Sequence, residues 1–152
     1  MSVEATLAEK GIVLPAAPMP AANYVPFVQT GNLIFVSGQI SQDDNGLIKG
    51  RLGDGMSVDD GAAAARRCGL SLIAQLKAAV GDLDRVRRVV KLTGFVNSTP
   101  DFTDQPEVIN GCSDLMVQVF GEAGRHARAA VSAPALPRGV AVEIEAVFQV
   151  TD

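Results

Sequence analysis

The sequence contains no tryptophan, one tyrosine, one histidine and two cysteines in 152 residues. One histidine and two distant cysteines, Cys68 and Cys112, match none of the usual zinc-ligand spacings, so we expect no metal site. Few aromatic residues also means few platforms on which the bases of single-stranded nucleic acid could stack. The sequence has no Gly-rich phosphate loop, no G-x-S-x-G motif and no H-E-x-x-H motif, so three common kinds of active site lack their signatures.

Concentrated positive charge is also missing, since the formal net charge is −4. Proteins that bind nucleic acid through its backbone need a basic surface, so we do not expect nucleic acid as a partner. The two basic clusters, Arg66-Arg67 and Arg85–Arg88, are typical of solvated helix and strand surfaces. We interpret them as surface charge.

Long hydrophobic runs are absent, and Met1–Glu4 opens a segment with neither a positively charged region nor an apolar stretch. These features favour a cytoplasmic protein with no signal peptide and no membrane contact. Hydrophobic residues nevertheless make up 47% of the chain, which is high for a monomer of this length. We expect one domain over residues 1–152, in which residues 1–22 form an N-terminal helix and a Pro-rich extension, and we expect part of the apolar surface to lie between subunits.

The hydrophobic periodicity predicts alternating strands and helices. The expected order is a helix at 3–10, a Pro-rich loop to residue 22, a β-hairpin at 24–28 and 33–36, a short strand at 47–48, a long helix from 58 to 80, a strand at 86–97, a second long helix from 105 to 120, and strands at 127–132 and 140–150. The strands cannot all be parallel, so the sequence predicts an α+β fold with a mixed sheet and two helices on one face. Cys68 and Cys112 fall on the apolar faces of these helices, where we expect buried thiols.

Three polar groups interrupt apolar strands and are the candidate site residues. They are Ser37-Gly38-Gln39, His126 with Arg128, and Glu143 with Glu145. Side chains alternate along a strand, so His126 and Arg128 share one face and the two glutamates share another. An arginine between small alanines can bind a carboxylate with two parallel hydrogen bonds.

A second interpretation of the same residues needs no ligand. Arg128 could pair with Glu143 or Glu145 on the surface, His126 could be a surface or interface residue, and Ser37–Gln39 could be a strand end. The residues alone leave the function undecided.

Three motifs in this order resemble the RidA (YjgF) family. Phe35–Ile40 reads F-V-S-G-Q-I, Ala127–Val131 reads A-R-A-A-V, and Val142–Ala146 reads V-E-I-E-A, with Leu136-Pro137 before the last motif. The resemblance extends from about Tyr24 to Phe148. Tyr24 matches a tyrosine of the family's first strand, and Asn110 matches an asparagine of its second helix.

The resemblance implies a chorismate-mutase-like YjgF fold and a homotrimer with a central β-barrel and clefts between subunits. It further implies hydrolysis of small reactive carboxylate imines or enamines from amino-acid metabolism, without a cofactor. In such a site Arg128 holds the substrate carboxylate, while Glu143 and the carbonyl near Ala130 hold the attacking water. The other residues expected at the cleft are Tyr24, Ser37, Gly38, Asn110 and His126.

Two other functions fit the same resemblance. One is a non-catalytic protein that binds small carboxylates in the same cleft, and the other is an endoribonuclease or translation inhibitor, an activity attributed to some relatives. Three departures from the family pattern bear on the choice: Ala130 replaces a frequent cysteine, His126 replaces a proline, and residues are inserted between Phe102 and Asn110. They indicate a longer branch of the family, for which the fold transfers more securely than the activity.

Overall fold

The computed structural model describes residues 1–152 and contains three α-helices and seven β-strands. In chain order they are α1 (Val3–Glu9), β1 (Phe27–Thr30), β2 (Leu33–Ile40), β3 (Gln42–Asp43), β4 (Gly46–Leu47), α2 (Val58–Val80), β5 (Val86–Asn97), α3 (Gln105–Phe120), β6 (Ala127–Ala133) and β7 (Val142–Val150). The predicted order of elements is confirmed except that two short strands, β3 and β4, stand where one was expected. No helix is both long enough and apolar enough to cross a membrane.

Five strands form one sheet in the order β1-β2-β7-β5-β6, and β3 pairs with β4 in a separate two-stranded ribbon. All pairs in the large sheet are antiparallel except β5 with β6, which are parallel. A parallel pair needs a long crossover connection, and α3 provides it. The sheet is therefore mixed, as the sequence predicts.

The two long helices pack against each other and against one face of the sheet, which confirms the predicted α+β arrangement. Their backbones approach closely at Gly111 of α3, where a β-carbon would collide with the carbonyl oxygen of Ala62 in α2. Cys68 and Cys112 are fully buried in this layer, as predicted. Burial raises the pKa of both thiols, that of Cys112 to about 12, so neither is a thiolate at neutral pH.

The start of the hairpin differs from the prediction. We expected its first strand at residues 24–28, but β1 begins at Phe27 and Tyr24 lies in a bend before it. Pro26 has no backbone N–H to donate to β2, which explains the late start. The segment is still attached to β2, because the Ser37 backbone N–H donates to the Pro26 carbonyl (2.9 Å) and the Ser37 hydroxyl donates to the Val25 carbonyl (2.8 Å).

The N-terminal extension packs on the same molecule. Helix α1 buries Leu7, its Val3 N–H donates to Asp84 Oδ1 (2.7 Å), and Glu4 forms an ion pair with Lys77 of α2 (2.8 Å). Residues 12–20 that follow have no regular secondary structure, as the Pro-rich sequence predicts. The Pro18 carbonyl of this segment accepts a hydrogen bond from Gln75 of α2 (2.6 Å).

The sheet face opposite the helices remains uncovered in a single chain. Val28, Phe35 and Val147 lie side by side across three strands of this face, and Val131 pairs with Phe95 on two others. Val28, Phe35 and Val131 keep 53%, 45% and 44% of their surface exposed. This open face is therefore largely apolar at its edges, which is unusual for a surface that stays in water.

Candidate functional site

A β-bulge places the Ser37-Gly38 dipeptide at the site. Val36 pairs with Ala146 of β7 and Gln39 pairs with Ile144, so two residues of β2 oppose one residue of β7. At the bulge Gly38 contacts the side chain of Glu143, and a β-carbon on Gly38 would lie 3.0 Å from Glu143 Cδ and nearer still to Oε2. Glycine at position 38 is therefore what makes room for this carboxyl group.

Glu143 is a half-buried carboxyl group on the open face of the sheet. Its pKa is raised, first because burial removes water from the charged form and second because Glu145 places a negative charge on the same face. Both glutamates lie on this face, as predicted from the alternation of side chains. A carboxyl group with a raised pKa beside a cleft is suited to exchange protons with a bound molecule.

Glu143 and Gly38 line a cleft of about 370 Å³ together with Tyr24. One wall of this cleft is the Pro-rich segment Pro18–Ala21. That wall is held by Gln75 of α2, which is 1% exposed and whose Nε2 donates to the Pro18 carbonyl at 2.6 Å. We refer to this space as the Glu143 cleft.

Arg128 lies at the other side of the site, on edge strand β6, and reaches toward α3. Its Nη1 donates to Asn110 Oδ1 (2.7 Å) and to Ser113 Oγ (3.1 Å), and its Nη2 donates to the Pro106 carbonyl (3.3 Å). All three partners are neutral. The alternative interpretation of Arg128, an ion pair with Glu143 or Glu145, is not what the structure has, because its ion pairs are Lys77–Glu4 and Arg125–Glu122.

His126 joins the same cluster through Ser113. Its Nδ1 lies 2.6 Å from the Gly124 carbonyl, which can only accept, so Nδ1 carries a proton. Its Nε2 lies 2.9 Å from Ser113 Oγ, which already accepts from Arg128 and can donate its own proton to Nε2. This network confirms that His126 and Arg128 share a face. Both ring nitrogens already have partners within the protein.

The structure therefore gathers the predicted residues into two groups. Tyr24, Gly38 and Glu143 line the Glu143 cleft, while His126 and Arg128 line a separate shallow cleft against α3, and Asn110 contacts Arg128. A single chain does not bring the two groups into one pocket. Two remaining residues lie beside the groups: Ser37 fixes the Tyr24 segment, and Ala130 pairs with Gly94 in the sheet.

Sequence reasoning missed three residues of these groups, namely Gln75, Ser113 and Arg138. Ser113 follows Asn110 by three residues on α3, and this spacing puts both side chains on one helix face, so the signal was present. Gln75 is an isolated polar residue on an apolar helix face, which is a weaker signal. No pattern in the sequence links Arg138 to the cleft, which it lines beside Pro137.

Comparison with known proteins assigns the chain to a family. The family model described as "YjgF/chorismate mutase-like, putative endoribonuclease" matches residues 4–147. The chain belongs to the YjgF/RidA family. A curated relative in this comparison, protein TCP17 of Trypanosoma cruzi, is 52% identical over 152 residues, covering 99% of this chain and 95% of that protein.

Two further proteins similar to this YjgF/RidA protein are a relative that is named as an enzyme and a relative with a solved structure. A 2-iminobutanoate/2-iminopropanoate deaminase of Mus musculus is 31% identical over 142 residues, covering 93% of this chain and 92% of that protein. A crystal structure named a "putative endoribonuclease" from Shewanella oneidensis superposes with a TM-score of 0.94 at 32% identity, covering 99% of this chain and all of that one. The predicted YjgF fold is confirmed.

The structure shows what surrounds two of the three departures from the family pattern, Ala130 and His126. Ala130 is half-buried and packs against the core of this YjgF/RidA protein, on the helix side of β6. Its backbone remains in the parallel ladder with Gly94, so replacing the frequent cysteine leaves the strand intact. His126 uses its ring to connect Gly124 with Ser113, a contact that a proline at this position could not make. No group of three or more His, Cys, Asp or Glu side chains is arranged to bind a metal ion.

Proposed function

We propose that this protein hydrolyses small imines of 2-oxo acids, in sites that each combine two subunits of a homotrimer. The observation that supports this most is the state of Arg128. Its guanidinium is fixed by three neutral acceptors and is paired with no carboxylate. Of its five N–H donors, the Nε–H and one Nη2–H remain without a protein partner, and a carboxylate ligand can accept from both.

The separation of the two groups supports a site between subunits. Arg128 lies on edge strand β6 and reaches toward α3, whereas Glu143 lies on the open face of the central strand β7, between β2 and β5. In the proposed assembly, the β6 edge of one subunit meets the Glu143 cleft of its neighbour. The open apolar face, with Phe35 and Val28, is then buried within the trimer.

In this arrangement Arg128 binds the substrate carboxylate, and Glu143 acts on water. The water oxygen bonds to the imine carbon while its proton passes to the Glu143 carboxylate. Glu143 returns this proton to the nitrogen, which gives a carbinolamine with one hydroxyl and one amino group. Glu143 then takes the hydroxyl proton and passes it to the amino nitrogen, the C–N bond breaks as the C=O bond forms, and ammonia and the 2-oxo acid leave. An enamine substrate first takes a proton at carbon to become the imine. The raised pKa of Glu143 favours a carboxyl group that both accepts and returns a proton.

Release of ammonia from freshly generated 2-aminoacrylate tests this proposal. We expect the wild-type protein to accelerate the release and Arg128→Ala to abolish the acceleration, because removing the charged partner of a desolvated carboxylate costs about 2–5 kcal/mol. Arg128→Lys should recover only part of the rate, since an ammonium lacks the planar fork. Lys10→Asn removes a positive charge from an exposed position in the N-terminal segment and serves as the matched control.

Two results would contradict the proposal. Unchanged ammonia release by Arg128→Ala would show that the arginine is structural. Binding of 2-oxobutanoate without any acceleration of ammonia release by the wild-type protein would make it a carboxylate-binding protein instead of an enzyme.

A further inference from the structure

Arg138 is the only positively charged residue that lines the Glu143 cleft. Apart from Arg138, the ionisable residues of this lining are Tyr24 and Glu143. Arg138 is exposed, and neither of the two ion pairs of the structure involves it. Its guanidinium makes no hydrogen bond to the protein, so all of its donors are available to a molecule in the cleft.

The backbone at Arg138 is in the left-handed conformation, which arginine rarely adopts. Arg138 has φ 60° and ψ 14°, and it is the only non-glycine residue with a positive φ. It occupies the third position of the turn Leu136–Gly139, which is closed by a hydrogen bond from Gly139 N–H to the Leu136 carbonyl (3.0 Å). Glycine or asparagine usually occupies such a position. An arginine there is strained, and strain of this kind is concentrated at functional sites.

Hydrogen bonds hold the C-terminal end of this turn in place. The Gly139 carbonyl accepts from Gly50 N–H (3.4 Å), and the Val140 carbonyl accepts from Asn97 Nδ2 (3.1 Å). Val140 is buried and also forms a bridge with Lys49. The backbone that carries Arg138 is therefore held in place, and only the side chain has freedom to move at the cleft.

We infer that Arg138 binds a second acidic group of the substrate, so that the site prefers imines of 2-oxo dicarboxylates to imines of monocarboxylates of the same chain length. This inference rests on the proposed function, in which Arg128 of one subunit holds the first carboxylate at the Glu143 cleft of its neighbour. The cleft volume of about 370 Å³ falls within the range of small-molecule pockets, roughly 300–1,000 Å³. An acidic group is the partner that a free guanidinium binds best, and substrates derived from amino acids supply it as a carboxylate.

A pair of stable ligands with equal numbers of carbon atoms tests the inference. 2-Oxopentanoate ends in a methyl group, and 2-oxoglutarate has a second carboxylate at that place. Titration calorimetry should show that the wild-type protein binds 2-oxoglutarate about tenfold more tightly, the size expected for a charge-assisted contact at a partly solvated position. In Arg138→Asn, which keeps a residue that tolerates positive φ, the ratio of the two affinities should fall to about one. Lys10→Asn removes the same charge outside the cleft and should keep the preference.

The outcomes separate this inference from the proposed function. If the wild-type protein binds both ligands equally, or if Arg138→Asn keeps the full preference, the second acidic group is not bound by Arg138 and only this inference fails. If neither 2-oxo acid binds to the wild-type protein, the proposed function fails and the inference fails with it.

Discussion

Glu143 is a carboxyl group whose charged form is disfavoured by the fold. Burial is the main cause of its raised pKa, and the neighbouring charge of Glu145 adds to it. Because the pKa is higher in the folded than in the unfolded protein, the folded state binds more protons just above the ordinary glutamate pKa. The free energy of unfolding therefore decreases as pH rises through that range, and the loss is complete above the folded-state pKa.

Replacing Glu143 with glutamine should remove this loss. We expect Glu143→Gln to unfold at a higher temperature than the wild-type protein near pH 7, and we expect the difference to shrink toward zero near pH 4, where the glutamate is largely protonated. Thermal unfolding followed by circular dichroism at both pH values measures this. Glu9→Gln, at an exposed position in α1, controls for the loss of one negative charge. A variant that is less stable than the wild-type protein at neutral pH would show that the carboxylate has a stabilising partner.

The predicted residues of the site differ in how far the sequence specifies them. The shared faces of Glu143 with Glu145 and of His126 with Arg128 follow from the two-residue period of a strand, and both are confirmed. The sequence did not specify the protein partners of Arg128, because whether its side chain meets Asn110 or Glu143 depends on which face of the sheet the helices cover. Strand periodicity shows that two faces exist and leaves open which of them meets α3.

Among the secondary-structure elements, α2 and α3 meet at several helical glycines, and two of these, Gly111 and Gly61, have different surroundings. A β-carbon on Gly111 would collide with backbone atoms of Ala62, which cannot move without separating the helices. A β-carbon on Gly61 would meet only side-chain atoms, Leu52 Cδ1 at 3.0 Å and Val108 Cγ2 at 3.2 Å. The two positions therefore form a matched pair for testing the packing.

Alanine at the two positions should have different effects on stability. Gly111→Ala should lower the free energy of unfolding by about 1–3 kcal/mol, because overpacking outweighs the gain in helix propensity. Gly61→Ala should be close to neutral, since the side chains around it can adjust. Urea unfolding of both variants gives the comparison. Equal stability of the two variants would mean that the helices are not in close backbone contact.

The wall of the Glu143 cleft depends on one buried side chain of α2. Replacing Gln75 with leucine removes the hydrogen bond to the Pro18 carbonyl and should destabilise the protein by about 1–3 kcal/mol. Hydrogen exchange should also become faster at the Tyr24 amide, which follows the released segment and donates to the Ala22 carbonyl (2.9 Å). Gln118→Leu, at an exposed position of α3, should change neither quantity. Unchanged exchange in Gln75→Leu would show that the wall is held by other contacts.

The elements themselves were predictable because each keeps one hydrophobic period over its length. The helix from residue 58, the helix from residue 105 and the strand at 86–97 all appear where their patterns predict them. The bulge at Ser37-Gly38 was not predicted, since it depends on the register between β2 and β7. The path of residues 12–20 was also beyond sequence reasoning, because a segment without a period is positioned only by its tertiary contacts.

At the scale of the whole molecule, one explanation covers two features: the uncovered apolar face of the sheet, and the separation of Arg128 from Glu143 within a single chain. An apolar face that carries Phe35 and Val28 is buried when copies of the chain associate, and association through it can bring Arg128 of one copy toward Glu143 of another. The proposed trimer therefore accounts for both features. Light scattering at micromolar protein concentration should give three times the chain mass, and a monomer mass would contradict the assembly.

Mixing two inactive variants tests the shared site most directly. Arg128→Ala and Glu143→Gln should each be inactive alone, because each removes one half of every site. Trimers assembled from equal amounts of both chains contain sites that combine the intact Arg128 of one chain with the intact Glu143 of the other. Random assembly gives such sites a share of about one quarter, so ammonia release from 2-aminoacrylate should recover to about a quarter of the wild-type rate. If the mixture stays as inactive as the separate variants, both residues act within one chain or not at all, and the account of an inter-subunit site is wrong.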